Sequence, residues 1–224
     1  MKDSVNLRLN QILEACKDKS VLHLGCTNSP YTLNSIKEGT ILHSKIELVA
    51  KELYGIDLDP EGVQIMLKAG FKNIAVANLE EKNNPFKEKD YDVIVAGEII
   101  EHLSNPGQFL DNIKPLLSKP NAKLIITTVN AFYALRIFTG LFSGNESVHP
   151  DHVSYYSKRT LTRLLDMHGY KTEEFSYYSI SDEYKKTLKE SSWKSWLLDR
   201  FATRFLPPLF SDGLVFHAVK KVNI

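Results

Sequence analysis

Seven short apolar runs alternate with stretches of helical spacing along this chain, and no other feature restricts its fold as much. Residues 20–25, 52–57, 72–77, 91–96, 122–129, 170–180 and 213–220 read as strands. Helices are expected over 42–50, from Asp59-Pro60 to Gly70, over 105–117 and over 158–168, the last closed by Gly169. Asp59 is a suitable N-cap, and Pro60 is tolerated at the first helical position because its missing N–H would be unpaired there anyway. Val5 to Lys17 sets Leu7, Leu9, Ile12, Leu13 and Cys16 near helical spacing, so residues 1–19 are expected to hold an N-terminal helix. The centres of two strands, Val93–Ala96 and Leu124–Ile126, are apolar throughout. Such strands are buried on both faces, which calls for a mostly parallel sheet with helices on either side. The fold class expected is therefore α/β, as a Rossmann-like three-layer sandwich.

Length and composition narrow the rest. The 224 residues carry 28 basic and 27 acidic side chains, a formal net charge of +1, and this argues against a nucleic-acid partner, which would call for a basic excess. Two cysteines, Cys16 and Cys26, form neither a disulfide framework nor a metal-binding pair, so a cytoplasmic location is expected. Neither a signal-peptide pattern nor a membrane-spanning run is read in the chain. With no linker or repeat, 1–224 is taken as one domain.

Candidate ligand residues lie at the C-terminal ends of the strands, where open α/β sheets bind ligands. The first run leads through His23 into Gly25-Cys26-Thr27, and a glycine at such a turn lets the backbone approach a ligand closely. Taken alone, the turn equally serves a simple strand-to-helix connection. Asp57 closes the second run, where a carboxylate can accept hydrogen bonds from ribose hydroxyls, with Leu58 beside it. Asn78 and Leu79 follow the third run, and the Asn78 amide could meet an adenine edge or serve as a loop residue. Gly97 follows the fourth.

In this order, the segments 21–29, 54–59, 91–103 and 123–130, with the closing stretch 151–161 and Gly169-Tyr170, resemble the class I S-adenosylmethionine-dependent methyltransferases, in their small-molecule branch known as type 11 or type 23. The resemblance runs from about Val21 to Tyr170, with Gly213–Lys220 as a plausible final strand. It implies a seven-stranded sheet with an antiparallel last strand and S-adenosylmethionine as cofactor. It implies cofactor contacts at His23, Gly25, Cys26, Thr27, Asp57, Leu58, Asn78, Leu79 and Gly97. The chain departs from the family pattern where His23 replaces an acidic residue, where Thr27 and Ser29 replace glycines, and where Asn78 replaces an aspartate. The acid that would help orient the methionine amino group is thus missing, so another residue must do that work or cofactor binding is weakened.

After the fourth strand come Glu98, Glu101 and His102, spaced so that one helical turn would set them on one face. With His102 as general base and the carboxylates orienting the acceptor, the set suits methyl transfer to a hydroxyl. The same triplet also resembles a metal site: some ubiquinone-pathway O-methyltransferases and small-RNA 2′-O-methyltransferases carry Glu-x-x-Glu-His with a later histidine and bind a divalent ion. On that reading Glu98, Glu101 and His102 are joined by His149 or His152; a third reading is local capping and salt bridging. His152 also stands as a catalytic candidate, in a loop expected over 143–152. His23, His43 and His217, taken singly, are expected to pack. Residues 182–210 mix tryptophan, phenylalanine and leucine with lysine and arginine, and are expected to form a helical cap before the last strand. A membrane surface, a substrate cap, a homodimer face or ordinary packing would each suit it. The acceptor expected is a small molecule, a glycan or a lipid-linked hydroxyl; the alternative is a non-catalytic binding module on the same fold.

Overall fold

The computed structural model describes residues 7–146, 149–179 and 205–221. Its centre is a seven-stranded sheet of β1 (Ser20–Leu24), β2 (Glu52–Asp57), β3 (Ile74–Val76), β4 (Val93–Gly97), β5 (Lys123–Val129), β6 (Tyr170–Tyr178) and β7 (Gly213–Lys220). The strand order is β3-β2-β1-β4-β5-β7-β6. The first five strands are parallel, and β7 runs antiparallel to both neighbours. The order reverses between β1 and β4, which opens a crevice beyond their C-terminal ends.

Strand alternation divides the core in two. Leu22, Leu24, Ile94, Ala96, Leu124 and Ile126 face α5 (Pro106–Ile113) and α7 (Lys158–Met167), meeting Phe109, Leu110, Leu161 and Leu165. Val21, Val93, Val95 and Ile125 face α1 (Leu7–Cys16) and α3 (Leu42–Glu47), meeting Ile12, Cys16 and Ile46. α4 (Pro60–Lys68) covers the β3 end through Val63 and Met66. Local signals set several boundaries. The Asp59 carboxylate accepts from the Glu61 amide at the start of α4, Asn105 does the same for Gln108 in α5, and Ser157 forms a capping box with Thr160 in α7.

Two expectations change, and a third falls mostly outside the described residues. The helix expected over 105–117 ends at Ile113 and continues as a 3-10 turn, Lys114–Leu116, because Pro115 has no N–H to extend the α-helical ladder. Two further helices form beyond those expected: α2 (Thr32–Lys37) and α6 (Ala134–Ser143), the latter occupying the start of the expected 143–152 loop. Of the expected cap, 182–204 lies outside the described residues. Within 205–210, Phe205 is helical and a 3-10 turn, Pro208–Phe210, follows. Among the described residues, no helix is long and apolar enough to cross a membrane.

Candidate active site

The turn after β1 crosses the mouth of the crevice. Gly25 adopts φ 70°, and a Cβ there would lie 2.2 Å from Ile99 Cγ2, so another residue fits only if the Ile99 side chain shifts. The Gly25 and Cys26 amides both donate to the Ile56 carbonyl. Asp57 then ties the turn to β2: one carboxylate oxygen accepts from the Thr27 amide and the other from the Asp59 amide, both at 2.9 Å. Each oxygen keeps a further lone pair. Leu58 stands 65% exposed beside it. At the ends of β2 and β3 is a small hollow whose lining includes Ile56, Ala77, Asn78, Leu79, Asn112 and Ile113. The Asn112 amide donates to the Leu79 and Glu81 carbonyls and so fixes its wall.

Several expected ligand residues have their side chains engaged within the protein. The His23 side chain is 2% exposed, with Nδ1 3.1 Å from Nδ1 of His43 and the rings stacked. Burial holds His23 well below its ordinary value and lowers His43 to about 4, so both are neutral imidazoles. The Cys26 side chain is also buried, among Ile41, Val63, Met66 and Ile74. Only backbone atoms at these two positions could meet a ligand. The Asn78 amide lines the hollow but is engaged in its own turn, accepting from the Glu80 amide and donating to Glu81. Gly97 faces Arg8: a Cβ there would stand 3.0 Å from the guanidinium.

The expected helical face of Glu98, Glu101 and His102 does not form. Glu98 takes a left-handed conformation, φ 56°, and the chain then enters a 3-10 turn, Ile100–His102. The three side chains take different partners, although Glu101 keeps Glu98 on one side and His102 on the other. The Glu98 carboxylate accepts from the Tyr178 hydroxyl at 2.7 Å and lies 3.5 Å from Arg8 Nε. Glu101 is fully buried, with one oxygen accepting from the Thr128 hydroxyl at 2.8 Å and the other, Oε1, without a partner among the described residues. Burial first, and then the neighbouring Glu98 charge, pushes its carboxyl up to about 8. The Glu101 carbonyl accepts from the Val153 and Ser154 amides, which pins the loop after α6 against the β4 end.

His102 is exposed and directed into that loop. Its Nδ1 lies 3.1 Å from the Asp151 carbonyl, and its ring meets His152 edge-on with 4.6 Å between centroids. His152 Nδ1 is 3.3 Å from the Tyr155 hydroxyl, and Arg136 stacks on Tyr155. Burial, followed by the charges of His102 and His149, lowers His152 to about 4. Of the five residues expected around a divalent ion, Glu101, His102 and His152 bring ligand atoms within 4.8 Å of one another. Glu98 and His149 stand outside that group. Arg8, Tyr178 and Thr128 are additions to the site that sequence reasoning misses, since each reaches it from an element distant in sequence, and Tyr155 joins them from the loop that carries His152. Arg8 sits in the expected N-terminal helix, but nothing in its spacing tells that it meets the β4 end.

Comparison with known proteins agrees with this architecture. A family model described as "Methyltransferase domain" matches residues 5–174. The chain is 21% identical over 184 residues to a "Ubiquinone biosynthesis O-methyltransferase" of Coxiella burnetii, covering 75% of this chain and 71% of that one. Among solved structures it resembles an S-adenosylmethionine-dependent methyltransferase from Archaeoglobus fulgidus, with TM-score 0.62 and 16% identity, over 98% of this chain and 95% of that one. It also resembles the magnesium protoporphyrin IX methyltransferase of Synechocystis PCC 6803 with bound SAH, with TM-score 0.58 and 10% identity, over 98% and 87%. At these identities the solved structures speak for the fold.

Proposed function

The chain belongs to the methyltransferase-domain family as a class I S-adenosylmethionine-dependent methyltransferase, and we propose that it transfers the cofactor's methyl group to a hydroxyl of a small-molecule acceptor, with His102 as general base. The geometry of His102 carries this reading. A carbonyl only accepts, so in the neutral ring Nδ1, facing the Asp151 carbonyl at 3.1 Å, bears the hydrogen and Nε2 presents its lone pair. An exposed imidazole held in that tautomer beside the β4 end is equipped to remove a hydroxyl proton. The name of the 21%-identical relative supports O-methylation of a small molecule. A sugar or a lipid-linked hydroxyl fits the same chemistry.

The crevice residues fit the cofactor. The side-chain-free turn at Gly25, with Cys26 and Thr27, would lie along its chain, the remaining lone pairs of Asp57 would take ribose hydroxyls, and Leu58, Asn78 and Leu79 would border the adenine at the hollow. When bound, S-adenosylmethionine supplies an activated methyl group. The chain's own tasks are to orient the acceptor oxygen, exclude water and take up the acceptor proton. His152, lowered to about 4, stays neutral beside His102 and orients rather than abstracts.

A second reading has Glu101, His102 and His152 hold a divalent ion that acidifies the acceptor hydroxyl; their approach within 4.8 Å supports it. Methyl-labelled S-adenosylmethionine, incubated with phenolic, sugar and prenyl-alcohol acceptors with and without EDTA, tests both. The first reading predicts an alkali-stable methyl ether in EDTA. Activity lost to EDTA and restored by added ion supports the second. Transfer only to nitrogen or carbon acceptors contradicts both.

A further inference from the structure

We propose that Glu98 and Glu101 form the seat of the α-ammonium group of the cofactor's methionine moiety, with Tyr178 and Arg8 as positioning residues that hold Glu98. This rests on the methyltransferase reading above. A ligand that binds Asp57 with its ribose and crosses the Gly25 turn runs from β2 over β1 toward β4. The register pairs Leu24 with Ala96, so the turn at Gly25 faces Gly97, and Ile99 packs directly on Gly25. Glu98 lies between those two contacts, on the far side of the turn from Asp57. The ammonium end of such a ligand needs a negative group there. His23, at the end of β1, offers none, because its imidazole is neutral, buried and committed to His43.

The two carboxylates stand side by side with fewer donors than acceptor sites. Glu101 is fully buried and its Oε1 has no hydrogen-bond partner among the described residues, an arrangement that folded proteins seldom leave without a ligand, an ion or a water. Glu98 stands next to it, and the two repel when both are ionised. Arg8 relieves this only in part: its Nε donates to Thr127 Oγ1 at 2.9 Å and lies 3.5 Å from Glu98 Oε1. The Tyr178 hydroxyl occupies the same Oε1 of Glu98 at 2.7 Å. An ammonium carries three N–H donors, enough to reach both carboxylates at once. The left-handed backbone at Glu98 is what swings its side chain toward Tyr178 and Arg8, so the seat depends on residues from β6 and α1.

The test uses the full chain in EDTA and two probes. S-adenosylhomocysteine carries the methionine-derived amino acid; 5′-methylthioadenosine keeps the nucleoside and thioether and lacks it. By calorimetry, Glu98→Gln should weaken S-adenosylhomocysteine roughly tenfold or more and Tyr178→Phe by about three- to tenfold, hydrogen bonds to charged groups being the strong ones. Neither should move 5′-methylthioadenosine by more than about twofold, since it makes no such bond. Tyr178→Phe in the Glu98→Gln background should add nothing, because Tyr178 acts through Glu98. Unchanged melting temperatures show that the variants fold, and Tyr178→Phe keeps the buried ring. Equal loss for both probes, or no loss for either, overturns the assignment while leaving the methyltransferase reading intact. A loss that appears only with added divalent ion assigns the carboxylates to a metal and overturns it too. If the unaltered chain binds neither probe, the crevice reading itself falls and takes the assignment with it.

Discussion

Replacing Gly25 with alanine perturbs the crevice at its tightest point, and the structure sets the size of the effect. The residue adopts φ 70°, where an L side chain costs about 1–2 kcal/mol. The added Cβ would also stand 2.2 Å from Ile99 Cγ2, a distance that forces a shift. Ile99 packs on the main core and cannot swing freely into solvent, so overpacking adds about 1–3 kcal/mol. The expected loss is about 2–5 kcal/mol, read as a fall in the urea midpoint at constant slope. The two parts separate in an Ile99→Ala background. There the nearest remaining atom is Ile99 Cβ at 3.6 Å, an ordinary contact, so Gly25→Ala should lose only the backbone part, about 1–2 kcal/mol. The coupling between the sites should then be about 1–3 kcal/mol. A single-variant loss below about 0.5 kcal/mol, or equal losses in both backgrounds, would refute the reasoning.

The geometry sets three further outcomes. His43 has a folded pKa of about 4, below its ordinary value of 6.5, so its contribution to stability is complete above about pH 6.5 and is lost as the pH falls toward 4; the urea midpoint should drop across that window and drop less in His43→Leu. Asp59→Ala removes the acceptor for the Glu61 amide at the start of α4 and should lower stability by about 1 kcal/mol, a melting shift of about 2–4 °C by calorimetry; no shift would mean that the cap is dispensable. Tyr170→Phe deletes a buried hydroxyl that donates to the Leu110 carbonyl at 2.8 Å and should lower unfolding free energy by about 1–3 kcal/mol in urea titrations.

The strands are legible because a parallel sheet buried on both faces writes itself as apolar runs. β2 and β7 fall where the sequence puts them, and the helix boundaries marked by Asp59, Asn105 and Ser157 follow local capping chemistry. α2 spans only six residues, and α6 begins after Tyr133 without a side-chain cap, so neither announces its start. Of the candidate site, Gly25 and Asp57 are read from residue type and place at strand ends. Arg8 and Tyr178 escape such reading because they meet Glu98 across long sequence separations, and nothing local marks such a contact. The i, i+3, i+4 spacing of Glu98, Glu101 and His102 brings side chains together only on an α-helical turn. A left-handed residue followed by a 3-10 turn instead gives each of them its own set of partners. The side chain of His23, placed by resemblance at a cofactor position on β1, is held by His43 of α3.

The proposed chemistry turns on His102, and single-turnover methyl transfer in His102→Ala tests it most directly. The variant, loaded with S-adenosylmethionine and the preferred hydroxyl acceptor, should transfer roughly 10²–10⁴-fold more slowly than the unaltered chain. Its affinity for S-adenosylhomocysteine should stay within about twofold, because the His102 imidazole faces the Asp151 loop rather than the Gly25 turn. Transfer at the unaltered rate would contradict the assignment of His102 as the base.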